Sequence, residues 1–194
     1  MAARRPLSSR PLDLLYFIFF LVHIPATLLV DCQAIWPELI VPTPLRAVPR
    51  WYVSVSGDPL IAGAMGISVG NASELAWFKS FMYLEALFQL PVFVLGARGL
   101  WKDSPKIYAL LVLYGASTCT TTLACIAQII NTPVTSAATV AQKAVSITPQ
   151  QRVMLLFSYV PFFIVPLFLA IDMALRLQKW ASVGIRALES SKNK

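Results

Sequence analysis

Four stretches of this chain are apolar for longer than a soluble helix requires, and they dictate the architecture. The first, Leu14 to Val30, is seventeen uncharged residues, enough to cross a hydrocarbon core of about 30 Å when its ends are slightly extended. Further spans are expected at about 75–97, 107–130 and 153–175, with the first occupying about 12–31. Composition agrees: 57% of residues are hydrophobic and 13% charged, against about 25% charged in a soluble domain. The predicted fold is an all-α membrane protein, a four-transmembrane-helix bundle with a lumenal cap loop, formed as a single unit over residues 1–194. A cleaved signal peptide is the rival reading of the first run. Its apolar core would be about 7–15 residues with small residues before the cut, whereas this run ends Leu28-Leu29-Val30-Asp31.

The net charge of +7 is distributed as a membrane topology and not as a nucleic-acid surface. Arg4, Arg5 and Arg10 precede the first span; Arg98, Lys102 and Lys106 separate the second and third; Arg176, Lys179, Arg186, Lys192 and Lys194 follow the core of the fourth. These three segments share one side of a four-span chain, so both termini are expected in the cytosol, with 179–194 a basic, irregular tail. Cys32, Cys119 and Cys125 form no disulfide framework, and no Cys/His cluster suggests a metal. No cofactor is expected.

Cys32 to Ser73 is a forty-two-residue connection rich in Pro, Gly and Trp. A structureless loop of that length is unusual, so it is expected to fold over the bundle. Asp58-Pro59 reads as a turn start, Trp36 and Trp51-Tyr52 as interfacial aromatics, and Asn71-Ala72-Ser73 as a glycosylation sequon. The third span sets Tyr114, Ser117, Thr118, Thr121, Cys125 and Gln128 on one face, its hydroxyls expected to bond between helices. Asp172 and Arg176 read as an exposed i,i+4 pair.

The most informative residue is Glu85, near the middle of the second span. A charge at bilayer depth costs about 2.5–3.5 kcal/mol on insertion scales, so it is seldom kept without a task. Gln89 lies on the same face, flanked by Phe81 and Phe88. In the first span His23, Thr27 and Asp31 form one polar stripe on a helix that Pro25 is expected to kink. If Asp31 and Glu85 meet in low dielectric they share a proton and hold a net charge near −1. Such a pair suits a cationic amine in an apolar pocket lined by Trp51, Tyr52, Phe81, Phe88 and Tyr159. The same acid and base could also move a double bond within a sterol, the aromatic faces stabilising a carbocation.

His23-Ile24-Pro25, Asp31-Cys32-Gln33-Ala34, Trp51-Tyr52, Asp58-Pro59-Leu60, Trp77-Phe78-Lys79-Ser80-Phe81 with Glu85, and Phe88-Gln89-Leu90-Pro91 together resemble the sigma-2 receptor (transmembrane protein 97) family of the EXPERA superfamily. Tyr159 with Pro161 and Pro166 continues the likeness in the fourth span, and Tyr114 to Thr121 matches more loosely in the third. The resemblance implies a multi-pass protein of the endoplasmic reticulum membrane, often a homodimer. It also implies binding of sterols and cationic amphiphiles in a pocket opening sideways to membrane lipids. By matching positions Asp31 would pair with a ligand amine, Glu85 would be its hydrogen-bonded companion and Asp58 would support the polar network. Gln89, Tyr52, Tyr114, Thr121 and Tyr159 would line the pocket, with His23 nearby.

The catalytic relative in that superfamily, a sterol Δ8-Δ7 isomerase, relies on a histidine with glutamates, whereas this chain's one histidine is His23 in span one. The leading expectation is therefore a non-enzymatic sterol and amine binder acting in lipid homeostasis or trafficking. An isomerase using Glu85 and Asp31 comes second. A quality-control factor for mistargeted mitochondrial precursors, a role that fungal relatives of the family carry, comes third.

Overall fold

The computed structural model describes residues 5–67 and 72–192. The sequon at Asn71, and Arg4 and Lys194 of the basic segments, lie outside the described residues. Among the described residues eight α-helices run in order: α1 Pro11–Ala26, α2 Ala47–Ser56, α3 Pro59–Ala64, α4 Ala76–Leu84, α5 Leu90–Trp101, α6 Tyr108–Asn131, α7 Ala137–Ala141 and α8 Pro149–Lys192. Four helical segments among the described residues, Pro11–Ala34, Ala76–Trp101, Pro105–Asn131 and Pro149–Lys192, are long and apolar enough to cross a membrane. Among the described residues, the only β-type pairing is the isolated bridge Val134–Ile147.

Two of the spans are not α-helical throughout. Thr27–Asp31 continues α1 as a π turn, and Glu85–Gln89 joins α4 to α5 as another. Each lies within a few residues of a proline, Pro25 or Pro91. A proline lacks the N–H for an i→i−4 bond and crowds the preceding turn, and before Pro91 the wider turn absorbs that misfit, whereas the first π turn follows Pro25. In place of a bare kink, the chain carries an extra residue per turn at the level where its intramembrane acids stand.

The bundle core sits toward the basic end. Tyr16, Phe20, Phe93, Leu111, Tyr114, Leu169 and Met173 interlock there, each nearly or wholly buried. Leu12, Leu15, Ile18 and Leu21 of α1 are about half exposed, as side chains facing hydrocarbon would be. Packing is most extensive between α6 and α8, then between α1 and α5. At Gly115 a Cβ would stand 2.5 Å from the Pro166 carbonyl oxygen, so only glycine admits that approach of α6 to α8. Close contact through a small residue is what holds helices together in lipid, where there is no hydrophobic drive between them.

The long connection does fold over the bundle. α3 buries Leu60, Ile61 and Ala64 against Phe78, Met82 and Cys125 of the spans. Gly57 turns the chain between α2 and α3 at φ +66°, a left-handed conformation that disfavours a side chain, with Gln151 directly above it. Trp51 is exposed, but Tyr52 points inward.

Several expectations need correcting. The tail from Lys179 is not irregular: α8 runs unbroken to Lys192, about 66 Å at 1.5 Å per residue, roughly twice a hydrocarbon core. Asp172 and Arg176 are not a simple exposed pair. Both are partly buried, and Arg176 also donates to Asp13 at 2.6 Å. The hydroxyls of Thr120 and Thr121 bond back to Ala116 and Thr118 of their own helix, since a neighbouring carbonyl one turn back is the nearest acceptor.

Candidate functional site

The π turns of the first two spans face each other across a cavity of about 210 Å³. Thr27, fully buried, donates from its hydroxyl to Glu85 Oε1 at 2.5 Å, tying span one to span two. His23 Nε2 stands 3.8 Å from the same oxygen. Its ring is stacked on Phe93 with centroids 4.4 Å apart and flanked by Phe162 at 4.5 Å. Nδ1 of His23 is buried without a hydrogen-bond partner. Asp31, at the end of the first π turn, and Glu85, at the start of the second, both line the cavity.

The roof is built around Asp58, which is wholly buried. As N-cap of α3, with Pro59 in the first helical position, its Oδ1 accepts from the backbone N–H groups of Leu60 and Ile61 at 2.9 and 3.1 Å. Oδ2 accepts from the hydroxyls of Tyr52 at 2.9 Å and Tyr159 at 2.8 Å. One carboxylate thus starts a cap helix, fixes α2 and pins the cap to the fourth span. Burial lifts the Asp58 carboxyl above its ordinary pKa, opposed by the hydrogen bonds from Tyr159, Ile61, Tyr52 and Leu60. Burial, then the nearby Asp58 charge, likewise raises the Tyr52 phenol.

Of the residues singled out from the sequence, His23, Asp31, Tyr52, Glu85, Gln89, Thr121 and Tyr159 line this one cavity, with Phe81 among the walls. Asp58 lies behind the wall and holds its two tyrosines. Three expected residues fall elsewhere. Tyr114 is wholly buried among Phe20 and Phe93 in the bundle core, because its position, one turn from Thr118, looks toward spans one and two below the chamber. Phe88 packs against that same core, and Trp51 is 67% exposed. Phe78, Met82, Thr118, Ser158 and Phe162 line the cavity without having been foreseen. The fourth-span residues lay in a run whose apolar pattern goes all round the helix, which hides the inward face.

Chemically the chamber is an apolar slot with two acids. Among the described residues no lysine or arginine lines it, so its carboxylates have no counter-cation there, and a burial of that kind is costly until a cation arrives. The rings of Phe78, Phe81, Tyr52, Tyr159 and Phe162 offer faces to which a cation is also attracted. Among the described residues no group of three metal-ligating side chains converges.

The arrangement defines a class: a multi-pass helical membrane protein with an acidic, aromatic-walled chamber between its spans. The EXPERA (EXPanded EBP superfamily) sequence family matches residues 44–173. Over 166 residues the chain is 33% identical to Sigma intracellular receptor 2 of Xenopus tropicalis, covering 85% of this chain and 89% of that protein. It is 30% identical to the protein of that name from Homo sapiens, covering 87% and 90%. Efficient mitochondria targeting-associated protein 19 of Schizosaccharomyces pombe is 25% identical, covering 90% and 81%. The chain belongs to the EXPERA superfamily, in the family of the sigma intracellular receptor 2 proteins.

Proposed function

We propose that this protein binds cationic amphiphiles and sterols in the chamber, without transforming them, and acts in sterol or lipid homeostasis or trafficking. The observation that carries the reading is the placement of Asp31 and Glu85 on one apolar cavity that, among the described residues, no lysine or arginine lines. Asp31 takes the ligand's ammonium; Glu85, fixed by Thr27, completes the negative site. Sites that enclose a drug-sized ligand measure about 300–1,000 Å³. A chamber of about 210 Å³ encloses the polar head and the first rings, and the remainder of a sterol lies toward lipid. Residence in the endoplasmic reticulum membrane, both termini in the cytosol and a homodimeric state belong to the same proposal. The gathering of basic residues at one end of the bundle supports the orientation.

A second reading is a sterol or terpenoid isomerase with Glu85 and Asp31 handling the proton. It draws support from His23, whose Nε2 lies 3.8 Å from Glu85 while its Nδ1 is unpartnered. The mitochondria-targeting name of the fungal relatives supports a third, a quality-control factor for mistargeted precursors. Mass spectrometry of the lipid that co-purifies with the full chain tests the first directly. A sterol retained at one per chain, and returned unchanged after incubation as its Δ8 form, fits binding without turnover. Conversion that disappears in Glu85→Gln supports the isomerase, and a chain that carries no sterol or amine supports the third.

A further inference from the structure

A second recess opens at the basic end of the bundle, on the opposite side of the core from the acidic chamber, with a volume of about 690 Å³. It lies between the turn that precedes span one and the part of α8 that emerges from span four. Four basic side chains line it, Arg5, Arg10, Arg176 and Lys179, against the single carboxylate of Asp13. Leu12, Trp180 and Val183 form its apolar rim.

The guanidinium groups are fixed before any ligand arrives. Arg10 is 6% exposed and donates to Leu100 O at 2.9 Å, with ion pairs to Asp13 and, at 3.4 Å, to Asp103. Arg5 forks onto Asp103 at 3.0 and 3.1 Å. Arg176 forks onto Asp172 at 3.0 and 2.7 Å and reaches Asp13 at 2.6 Å. Asp103 and Asp172 do not line the recess; they hold the cations from behind and leave an excess of one positive charge. Arg10 Nε is buried without an acceptor, and among the described residues Lys179 has no acidic partner. The first turn of α1, which starts at Pro11, adds the positive end of its dipole.

We propose that this recess is a binding site for the phosphate headgroup of an anionic phospholipid. With the forks spent on carboxylates, a phosphate is held by the charge of the fixed guanidiniums, by the outward N–H groups of exposed Arg5 and by the point charge of Lys179. Its glyceryl and acyl portion would lie on Leu12, Trp180 and Val183, where span four leaves the bilayer. The apolar rim favours a lipid over a soluble phosphate ester, which would leave those side chains in water. The site is independent of the acidic chamber: it shares no lining residue with it and takes a ligand of opposite charge.

Native mass spectrometry of the full chain, purified in a neutral detergent and offered phosphatidic acid, phosphatidylcholine or glycerol 3-phosphate, tests it. The wild type is expected to retain one phosphatidic acid in preference to phosphatidylcholine. Each exposed cation is worth about five-fold in affinity for an anionic headgroup, so Arg5→Gln with Lys179→Gln should cut retention about twenty-five-fold. The double variant should melt within about 4 °C of wild type, since an exposed ion pair such as Arg5–Asp103 contributes little to stability, and should keep its affinity for a tertiary-amine amphiphile, which separates loss of the site from loss of the fold. Equal retention of phosphatidic acid by wild type and double variant overturns the proposal, as does equal retention of phosphatidylcholine. Retention of glycerol 3-phosphate as tight as that of the lipid overturns the lipid source and assigns the site to a soluble phosphate ester.

Discussion

Replacing Asp58 by Ala removes the acceptor on which the cap depends, and the structure sets the size of the loss. The side chain is wholly buried and accepts four hydrogen bonds, two from backbone and two from tyrosines. Loss of the N-cap of α3 costs about 1 kcal/mol. The Tyr52 and Tyr159 hydroxyls, left without their acceptor, cost about 1–3 kcal/mol each, offset where water can enter from the chamber. A net destabilisation of about 3–5 kcal/mol follows, and for a chain of this length about 2–4 °C accompanies each kcal/mol. Thermal unfolding in detergent should therefore show Asp58→Ala melting about 10 °C below wild type. Asp58→Asn retains an oxygen for the cap, and tyrosine hydroxyls can rotate to accept from its amide, so it should lose about half as much. A melting temperature for Asp58→Ala within about 2 °C of wild type, or equal losses for Ala and Asn, would refute the hydrogen-bond reasoning.

Other expectations follow from the same geometry. Gly115→Val should destabilise by about 3 kcal/mol or more, because the new side chain meets backbone at Pro166 that cannot yield; thermal unfolding reads it, and an unchanged melting point would contradict the close approach of α6 and α8. Thr27→Val keeps shape but removes the hydrogen bond to Glu85, so affinity for a tertiary amine should change several-fold with less than about 1.5 kcal/mol of lost stability; unchanged affinity would show that Thr27 does not set the acid. The Arg5 hydrogen bonds hold the Asp103 carboxyl below its ordinary pKa of 3.8. A depressed acid contributes stability above its unfolded pKa and loses it as pH falls through the folded one, so the clamp of the N-terminal segment should open only below about pH 4. Protection of the Arg5 segment from hydrogen exchange, compared at pH 6 and pH 3, should fall in wild type, with the difference absent in Asp103→Asn.

The four spans and the sidedness of charge were legible because hydropathy and basic flanks are properties of contiguous sequence. Glu85 stood out for the same reason: its cost is set by depth, which the run length defines. Asp31 and His23 joined it through helical spacing alone. What escaped has a tertiary cause. Pro25 and Pro91 announced irregularity, but the choice of a π turn over a kink depends on the helix packed opposite. Asp58-Pro59 announced a helix start, and nothing local showed that its second oxygen would collect tyrosines from α2 and α8. Tyr114 and Thr118 share a face, yet the first enters the core and the second the chamber, a division fixed by where Phe20 and Phe93 stand. The continuation of α8 was hidden by its basic composition, which reads equally as a tail or as a helix carrying Leu177, Trp180, Ala181 and Leu188 on one side.

The central claim is that Asp31 and Glu85 make one negative site in an apolar chamber, and it is tested most directly by comparing two ligands of one shape. Affinities of a tertiary-amine amphiphile and its uncharged carbon isostere should be measured on wild type and on Asp31→Asn. Truncating one partner of a buried charge pair costs about 2–5 kcal/mol, about thirty-fold or more. Wild type should prefer the amine by at least that factor, and Asp31→Asn should bind the two alike. Equal affinity of wild type for amine and isostere, or an amine preference that survives Asp31→Asn undiminished, would contradict the account.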